Sequence, residues 1–399
     1  MKSLYIIFNA QVDKNSMGGG DKIVMNVSRV LRDKKLCNLK YLGCPEGIEM
    51  VKKNIENIDS SYLNSFEVKT LSLVGAYFLR ILFSFNIFFS NIKKQGVNEE
   101  INDRDTVLWS ASDFLPDTFP CFLYKLFNPN IKWIGSIFLR SRNPFKKEVE
   151  FTYRTFLSFV SQQISVFLFK LCCDYVCVLC KDDIDYLVSK GLSKDKIFIT
   201  SGGVDTKEFD KVSVNEKKYD ACFVGRFHAQ KGLNDLIYVW KKIVEGRKAN
   251  IGSESYNGKL AIVGWGDEKQ IGDLKKLIRE NGIEKNVDLK GFLDGEEKIE
   301  VIKSSKILLF PSSFESWGVV IAEGIASGVP VVSYKLPTIY EDFKFGVVWV
   351  EPFDKDLYFS EVKKLLEDES YRDNIVNKAR SFVKELDWES VGLKFSKYI

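Results

Sequence analysis

Hydrophobic residues in the second half of the chain alternate between short continuous runs and runs with helical spacing. The short runs predict buried strands at 219–225, 259–264, 287–290, 307–310 and 329–333. Two apolar stripes between them predict amphipathic helices: Leu233, Leu236, Ile237, Trp240, Ile243 and Val244, then Ile271, Leu274, Leu277 and Ile278. Repeated β–α units are typical of a parallel, doubly wound sheet, whose ligands bind beyond the carboxyl ends of the strands.

The first half of the chain begins with the same kind of unit. A buried strand is predicted at 4–8, the glycine loop Gly18, Gly19 and Gly20 follows, and a helix is expected at 21–32. Further strands are predicted at 107–109 and 133–135. Strand, glycine loop and helix in this order indicate a Rossmann-like domain.

The length of the chain indicates two domains, because 399 residues are many for a single hydrophobic core. We place the boundary at the glycine pair Gly202-Gly203. The predicted fold is α/β, with a Rossmann-like domain at 1–202 and a second at 203–379, each built on a doubly wound parallel sheet. The final helix, at about 380–399, is expected to pack back on the first domain.

Composition excludes several classes of protein. Apolar residues make up 45% and charged residues 28%, as in ordinary globular proteins. A net charge of +4 argues against a protein dedicated to duplex nucleic acid. The run at 4–8 suits a strand rather than a secretory signal, and the apolar stretch 71–92 contains Arg80, Asn86 and Asn91, which predicts a buried or interfacial helix rather than a membrane span.

Four of the eight cysteines, Cys172, Cys173, Cys177 and Cys180, follow a helix predicted at 145–171. The C-x-x-C at Cys177 and Cys180 could belong to a metal site. A buried strand at 174–180 is the better interpretation, since residues three apart on a strand point to opposite faces. Cysteines without a signal peptide indicate a reducing cytosol, so a cytoplasmic protein without a metal site is predicted.

Two cations stand five positions apart directly after a predicted strand. Arg226 and Lys231 are flanked by Gly225 and Gly232, which allow the backbone a close approach to a ligand. The planar guanidinium of Arg226 suits a diphosphate, and Lys231 adds a point charge. A solvated turn before a helix is the alternative for this segment on its own.

Two acids surround the start of a predicted helix later in the chain. Glu315 precedes Gly318, and Glu323 lies on the second turn of a helix expected at 319–326. Free backbone N–H groups and the positive end of that helix can bind a phosphate. The candidate residues for binding the phosphate of a ligand are therefore Ser316, Trp317, Gly318 and Val319. A carboxylate at Glu323 could accept both hydroxyls of a ribose, while a plain surface acid remains the alternative for Glu315.

Taken together, Gly225-Arg226, Lys231-Gly232 and the E-x7-E of Glu315 and Glu323 resemble the GT-B, family 4 retaining glycosyltransferases, also described as glycosyl transferases group 1. The resemblance covers essentially the second half of the chain. It extends to 262–266, with Gly264 and Gly266, to 289–292, with Phe292, and to 202–209. Gly18–Gly20 resemble the family's glycine loop, and Trp388 resembles an aromatic residue in its closing helix.

The resemblance implies two domains facing a cleft and a function for each site residue. Arg226 and Lys231 would neutralise a diphosphate leaving group in place of a metal, Glu323 would hold the ribose, and Glu315 would contact the donor sugar. Gly18, Gly19, Gly20, Gly225, Gly264, Gly266 and Phe292 would complete the donor site. No cofactor is implied, because the nucleotide diphosphate sugar is a substrate. The implied acceptor is a glycan or lipid-linked glycan, bound by the first domain.

The chain departs from the family at one position. Many relatives carry a histidine in the first domain where this chain has Phe138, while its single histidine, His228, lies between Arg226 and Lys231 and is interpreted as a loop residue. The missing histidine is the best argument for a non-catalytic glycan-binding relative. A nucleotide-sugar epimerase and a sugar phosphorylase are further alternatives. A nicotinamide dehydrogenase is disfavoured, since no G-x-G-x-x-G is complete.

Two smaller features remain. Asp183 and Asp185 form a D-x-D, which holds a metal in another transferase fold but is expected here to begin a surface helix running to Lys190. Aromatic and basic residues are interspersed in the stretches 77–94 and 145–170, so either stretch could contact a lipid bilayer. Ordinary core helices have the same composition.

Overall fold

The computed structural model describes residues 1–11, 18–62, 75, 77–82, 105–141, 143–145, 151–251 and 258–399. The chain divides into two compact units. The first unit comprises Met1–Gly202 and Trp388–Ile399, and the second comprises Gly203–Asp387.

The first unit is built on a seven-stranded parallel sheet. Its strands are β1 (Ser3–Phe8), β2 (Asn38–Gly43), β3 (Asp59–Tyr62), β4 (Thr106–Ser110), β5 (Lys132–Ile137), β6 (Tyr175–Val178) and β7 (Ile197–Ile199). Its helices include α1 (Gly19–Asp33), α2 (Pro45–Asn54), α3 (Leu115–Phe127), α4 (Tyr153–Cys172) and α5 (Lys181–Ser189). The strand order is β3-β2-β1-β4-β5-β6-β7, so the order reverses between β1 and β4.

The second unit repeats this plan with a six-stranded parallel sheet. Its strands are β8 (Tyr219–Val224), β9 (Leu260–Val263), β10 (Val287–Gly291), β11 (Ser305–Phe310), β12 (Val331–Tyr334) and β13 (Val347–Val350), in the order β10-β9-β8-β11-β12-β13. Its helices are α6 (Thr206–Lys211), α7 (Leu233–Ile251), α8 (Glu268–Glu280), α9 (Gly295–Lys303), α10 (Val319–Ala326), α11 (Pro337–Tyr340), α12 (Lys355–Glu367) and α13 (Glu369–Ala379). The predicted α/β class with two doubly wound parallel sheets is confirmed.

The last helix, α14 (Trp388–Ser396), belongs to the first unit and packs against α1. Gly392 makes this packing close, because a Cβ there would lie 2.6 Å from the Val30 side chain. The ring of Phe395 lies 4.3 Å from that of Trp109 on β4. Trp388 itself is half-buried at the first position of the helix.

Three local predictions in the first unit are wrong in detail. The helix predicted from 145 begins only at Tyr153, because Thr152 caps it by accepting a hydrogen bond from the Thr155 N–H at 3.1 Å. The strand predicted at 174–180 ends at Val178, so Cys180 precedes α5 instead of lying on a strand. Asp183 is buried on α5, where Arg140 pairs with it at 3.0 Å, and is therefore not part of a surface helix face.

The eight cysteines are all free thiols. No group of three or more His, Cys, Asp or Glu side chains within the described ranges could hold a metal ion. Most of the stretch predicted as a buried or interfacial helix at 71–92 lies outside the described residues.

Candidate active site

The candidate site of the second unit lies where the strand order of its sheet reverses. β8 and β11 are neighbours in the sheet, and the strand order reverses between them, since β9 lies on the other side of β8 and β12 on the other side of β11. Such a switch point is where doubly wound sheets bind ligands. The loop after β8 carries Arg226 and Lys231, and the loop after β11 carries Glu315.

Gly232 fixes how closely the two loops approach. Its φ is +71°, a left-handed conformation that favours glycine, and a Cβ there would lie 1.9 Å from the carbonyl oxygen of Pro311. The loop after β8 therefore packs directly against the end of β11. Lys231, one residue earlier, is brought beside the loop that carries Glu315.

Lys231 and Glu315 form a contact ion pair. Lys231 Nζ contacts Glu315 Oε1, and Ser312 Oγ donates a hydrogen bond to the same oxygen at 2.5 Å. The two charged side chains are only 15% and 9% exposed. Charges this well removed from water interact more strongly than a surface pair, and removal of one partner leaves the other buried and uncompensated.

The backbone around Glu315 is held by further hydrogen bonds. Gln230 Nε2 donates to the Phe314 carbonyl at 2.7 Å, and the Ser313 N–H donates to the Gln230 carbonyl at 2.8 Å. Thr338 Oγ1 donates to the Glu315 carbonyl at 2.6 Å. These bonds connect the loops after β8 and β11 to α11, so the carboxylate stands on a well-braced segment.

Arg226 is exposed and makes no ion pair with another described residue. A guanidinium in this position at the carboxyl edge can take an anionic ligand without first breaking a protein contact. His228, which is also exposed, accepts a hydrogen bond from the Gln230 N–H at 3.3 Å through Nδ1. That bond gives His228 a role in the shape of the loop, in keeping with its interpretation as a loop residue.

Helix α10 carries Glu323 at the same edge of the sheet. Gly318 caps it with a φ of +80°, and the helix bounds match those predicted from the sequence. Glu323 is buried and pairs with Lys298 on α9, whose Nζ lies 2.9 Å from Glu323 Oε1. Burial opposes the charged form of Lys298, yet Glu323 and Asp294 together raise its pKa.

The remaining candidate residues of the second unit differ widely in exposure. Gly264 follows β9, and a Cβ there would lie 1.8 Å from the Gly225 carbonyl, so the loops after β8 and β9 touch. Gly266 is also in close contact, since its Cβ would lie 2.9 Å from Phe227. Phe292 is 66% exposed, whereas Trp317 is buried with its ring 5.1 Å from Phe343. Ser316 and Val319 are half-buried at the start of α10.

The glycine loop of the first unit lies at the start of α1. The Gly18 N–H donates to Asp21 Oδ2 at 2.8 Å, while Gly19 has open space around it. Gly20 lies against Phe138, since a Cβ there would approach the ring to 2.8 Å. Phe138 is itself buried, so the residue at the expected histidine position is part of the packing of this loop.

Two buried acids at the carboxyl edge of the first sheet were not identified from the sequence. Asp117 Oδ1 accepts a hydrogen bond from the Asn9 N–H at 2.6 Å, and its Oδ2 accepts one from Ser112 at 2.5 Å. Asp113 Oδ2 accepts one from Gln162 at 2.7 Å. Burial raises the pKa of Asp117 to about 7 and that of Asp113 to about 6. A D-x3-D, with Asp113 in the loop after β4 and Asp117 on the first turn of α3, is the only sequence signal for them.

One described helix is long and apolar enough to cross a membrane by length and composition. Its stretch Thr155–Cys172 has a mean hydropathy of 1.3, and 33% of that window is buried. The same test is passed by core helices of water-soluble proteins.

Comparison with solved structures agrees with the two-sheet architecture. Anabaena Alr3699/HepE, solved in complex with UDP and glucose, superposes on this chain with a TM-score of 0.70 at 12% identity, covering 100% of this chain and 99% of that one. An identity this low establishes the fold alone. The fold is that of the GT-B glycosyltransferases, as predicted.

Sequence comparison finds a family match in the second unit. Residues 204–382 match the model of the family described as glycosyl transferases group 1. The match covers most of the second unit and confirms the resemblance to glycosyl transferases group 1 that the cation and E-x7-E motifs predicted.

Two relatives illustrate the extent of the similarity. An uncharacterized glycosyltransferase of Methanocaldococcus jannaschii is 30% identical over 214 residues, which are 50% of this chain and 52% of that protein. Sulfoquinovosyl transferase of Arabidopsis thaliana is 26% identical over 227 residues, covering 53% of this chain and 41% of that protein. The matched stretch thus spans about half the length of these relatives.

Proposed function

We propose that this chain is a retaining glycosyltransferase that moves a hexosyl unit from a nucleotide diphosphate sugar to a glycan or lipid-linked glycan. The observation that carries the proposal is the contact of Lys231 with Glu315 at the switch point of the second sheet. It brings a cation for a phosphate and an acid for a sugar hydroxyl to one place. The family of residues 204–382 and the complex of the Anabaena protein with UDP and glucose support it.

In the proposed site the donor's diphosphate binds Arg226 and Lys231. Arg226 is exposed and makes no ion pair with a described residue, so it can grip two phosphate oxygens with its planar fork. The N-terminus of α10 adds backbone N–H groups and the positive end of a helix. Glu323 accepts hydroxyls of the ribose, and Glu315 accepts those of the hexose.

The proposed chemical step breaks the bond between the anomeric carbon and the diphosphate oxygen. Positive charge develops on the sugar and negative charge on the leaving diphosphate, and preorganised charges of opposite sign lower the barrier. The acceptor oxygen bonds to the anomeric carbon from the face that the diphosphate leaves, and its proton passes to the departing phosphate. Configuration at that carbon is thereby retained.

We propose that the reaction needs neither a metal nor a cofactor. The two cations of the loop after β8 match the two charges that a metal ion would otherwise supply to a diphosphate. Turnover should therefore persist in excess EDTA, and addition of Mg²⁺ should leave it within about twofold. Loss of turnover on chelation, restored by a divalent ion, would contradict this part of the proposal.

We further propose that the enzyme works in the cytoplasm and touches the membrane face, where a lipid-linked acceptor would lie. Helix α4 supports this, because several of its large apolar side chains are exposed, while Val166, Leu168 and Phe169 are buried in the core. Ser161, Gln162 and Ser165 are buried, whereas Ile164, Phe167 and Leu171 are exposed. Co-sedimentation with anionic phospholipid vesicles tests it: Phe167→Gln with Leu171→Gln should release the protein, and unchanged sedimentation would contradict the membrane part.

Nucleotide binding decides the central proposal. Calorimetry of the full chain with UDP, GDP and ADP should find at least one ligand, and Arg226→Ala should weaken its binding at least tenfold. Product analysis of the corresponding nucleotide sugar, with and without a glycan acceptor, then separates transfer from epimerisation. Absence of binding to all three, or affinity unchanged in Arg226→Ala, would remove the assignment.

A non-catalytic glycan-binding relative is the second candidate, and buried Phe138 favours it, because a phenyl ring cannot hydrogen-bond the donor sugar. In that case the chain would bind a glycan without consuming any nucleotide sugar. Release of UDP, GDP or ADP on addition of acceptor would exclude it.

A further inference from the structure

Lys298 links the loop after β10 to helix α10. It lies on the first turns of α9, and its ammonium contacts Asp294 Oδ1 at 3.2 Å and Glu323 Oε1 at 2.9 Å. Asp294 is exposed at the N-cap of α9, whereas Glu323 is buried on α10. One cation therefore joins two segments that both face the carboxyl edge of the second sheet.

Burial distinguishes this pair from an ordinary surface ion pair. The side chains of Lys298 and Glu323 are 15% and 12% exposed. Removing two charges from water is costly, and apolar side chains of similar size usually give equal or greater stability at such a position. The stability of the fold therefore does not explain why residue 298 is a lysine, which favours a role for Lys298 in function.

The contact between Lys298 and Glu323 indicates what this role is. Lys298 engages Oε1 of Glu323, while Oε2 makes no hydrogen bond to a side chain in the described part of the second unit. A carboxylate held by one oxygen is restricted in rotation and keeps its second oxygen for a ligand. The partially exposed side chain of Glu323 allows a ligand to reach it.

We propose that Lys298 is a positioning residue of the donor site, which holds Glu323 oriented so that its second carboxylate oxygen accepts a ribose hydroxyl. This inference rests on the proposed function, in which Glu323 binds the ribose. It adds a residue that acts through Glu323 and not through the diphosphate.

Nucleotides that lack single hydroxyls test the proposal on the full chain. The affinities of UDP, 2′-deoxy-UDP and 3′-deoxy-UDP are measured by calorimetry, with the GDP or ADP series used instead if that base binds. The wild-type chain should lose about tenfold in affinity with at least one deoxy nucleotide, which corresponds to about 1.4 kcal/mol for one hydrogen bond. In Lys298→Met the parent nucleotide should bind about tenfold more weakly, and its advantage over that deoxy analogue should shrink to less than twofold.

Two companion variants separate positioning from a packing role. Lys298→Arg keeps the cation and should restore most of the hydroxyl discrimination. Lys298→Met combined with Glu323→Gln should bind no more weakly than Glu323→Gln alone, because both changes remove the same interaction. The matched control is Lys306→Met, which breaks the ion pair between Lys306 and Asp220, 2.7 Å long, at the amino ends of β11 and β8. It should leave nucleotide affinity unchanged.

The outcomes are distinguishable. If the wild-type chain binds none of the nucleoside diphosphates, the proposed function falls and this inference falls with it. If the wild type binds and Lys298→Met keeps the full preference for the hydroxyl, only the role of Lys298 is overturned. If Lys298→Met does not fold, the variants Lys298→Arg and Glu323→Gln test the proposal instead. A full preference for the ribose hydroxyl in Glu323→Gln would also overturn the role of Lys298.

Discussion

The two units share a strand order but place opposite chemistry at the same topological position. At the carboxyl edge beside β1 and β4, the first unit has the acids Asp113 and Asp117, both closed off by hydrogen bonds to neutral groups. At the matching edge beside β8 and β11, the second unit has Lys231 paired with Glu315, and Arg226 exposed nearby. Each unit is thus a doubly wound sheet with its own kind of polar edge.

This difference teaches that the fold supplies the location of a site and the loops supply its chemistry. Cations in the second unit suit an anionic ligand, such as a diphosphate. In the first unit, burial raises the pKa values of Asp113 and Asp117 toward neutrality, so their charged forms are disfavoured. Such acids suit neutral ligand groups, such as hydroxyls. We therefore expect changes in the second unit to act on nucleotide chemistry and changes in the first unit to act on stability and its pH dependence.

The largest effect is expected from Lys231→Met, which removes the cation of the Lys231–Glu315 pair. The substitution leaves Glu315 buried without its partner and removes positive charge from the proposed leaving group. Turnover of the nucleotide sugar should fall by about 100-fold or more, about 2.7 kcal/mol in the barrier. Steady-state kinetics with the donor identified by calorimetry measure it.

The control for Lys231→Met is again Lys306→Met, which breaks a lysine–carboxylate pair at the amino edge of the same two strands. It should change turnover less than twofold. Equal losses in both variants would mean that the two edges of the sheet do not differ in function, and the comparison would fail.

Gly232→Ala should be the next largest effect, because it separates the two loops that bring Lys231 to Glu315. The new Cβ would meet the Pro311 carbonyl, and the left-handed φ of +71° adds strain. A loss of at least about 2 kcal/mol in the free energy of unfolding is expected. Urea unfolding followed by tryptophan fluorescence measures it. Gly272→Ala, on α8 with open space around it, is the control and should be neutral or slightly stabilising.

The architecture could be predicted because its signals are local. Alternating strands and amphipathic helices identify parallel sheets, and Gly318 before an apolar run gave the bounds of α10. The helix start at Tyr153 was missed although Thr152 and Thr155 form a recognisable cap. The bulky run at 145–152 was read as part of the helical pattern, and the cap was overlooked.

The side-chain partners could not be predicted in the same way. Lys298 and Glu323 are 25 positions apart, and nothing in the sequence pattern relates them. The same holds for Asp113 with Gln162, which are 49 positions apart. Resemblance to a family names residues that contact substrate, but not the residues that hold them, which depend on how neighbouring helices pack.

Asp117→Asn should change the pH dependence of stability by a moderate amount. Burial raises the pKa of this carboxyl from 3.8 to about 7, so between these pH values the folded chain holds a proton that the unfolded chain releases. Stability contributed by this group is therefore complete below about pH 4 and is lost as pH rises toward 7, with a slope of at most about 1.4 kcal/mol per pH unit. The variant should have a smaller slope and be more stable than wild type at pH 8.

Urea unfolding at pH 5, 6, 7 and 8 measures this dependence. Asn fits the site, since its carbonyl can still accept from the Asn9 N–H and the Ser112 hydroxyl can accept from its amide. Asp185→Asn, at an exposed position on α5, is the control and should keep the wild-type slope. A wild-type slope in Asp117→Asn would mean that Asp117 is ionised when folded, and the contrast between the two edges would weaken.

The smallest effect is expected from Tyr334→Phe, which tests what else holds the Lys231 loop. Tyr334 Oη donates to Asp235 Oδ2 at 2.7 Å, and Lys355 pairs with the other oxygen of Asp235 at 2.8 Å. Asp235 lies on the first turn of α7, directly after the Lys231–Gly232 segment. Loss of one hydrogen bond should cost about 1 kcal/mol of stability, while Lys355 keeps Asp235 in place.

Donor KM should therefore stay within about twofold in Tyr334→Phe, and kcat likewise, because Gly232 and Pro311 fix the loop independently of α7. Steady-state kinetics beside thermal unfolding check both expectations. Tyr238→Phe, which removes an exposed hydroxyl 3.4 Å from Asp356, is the control and should change neither quantity. A large loss of turnover in Tyr334→Phe with stability intact would place the origin of the site's geometry in helix α7, and not in the contact between the two loops.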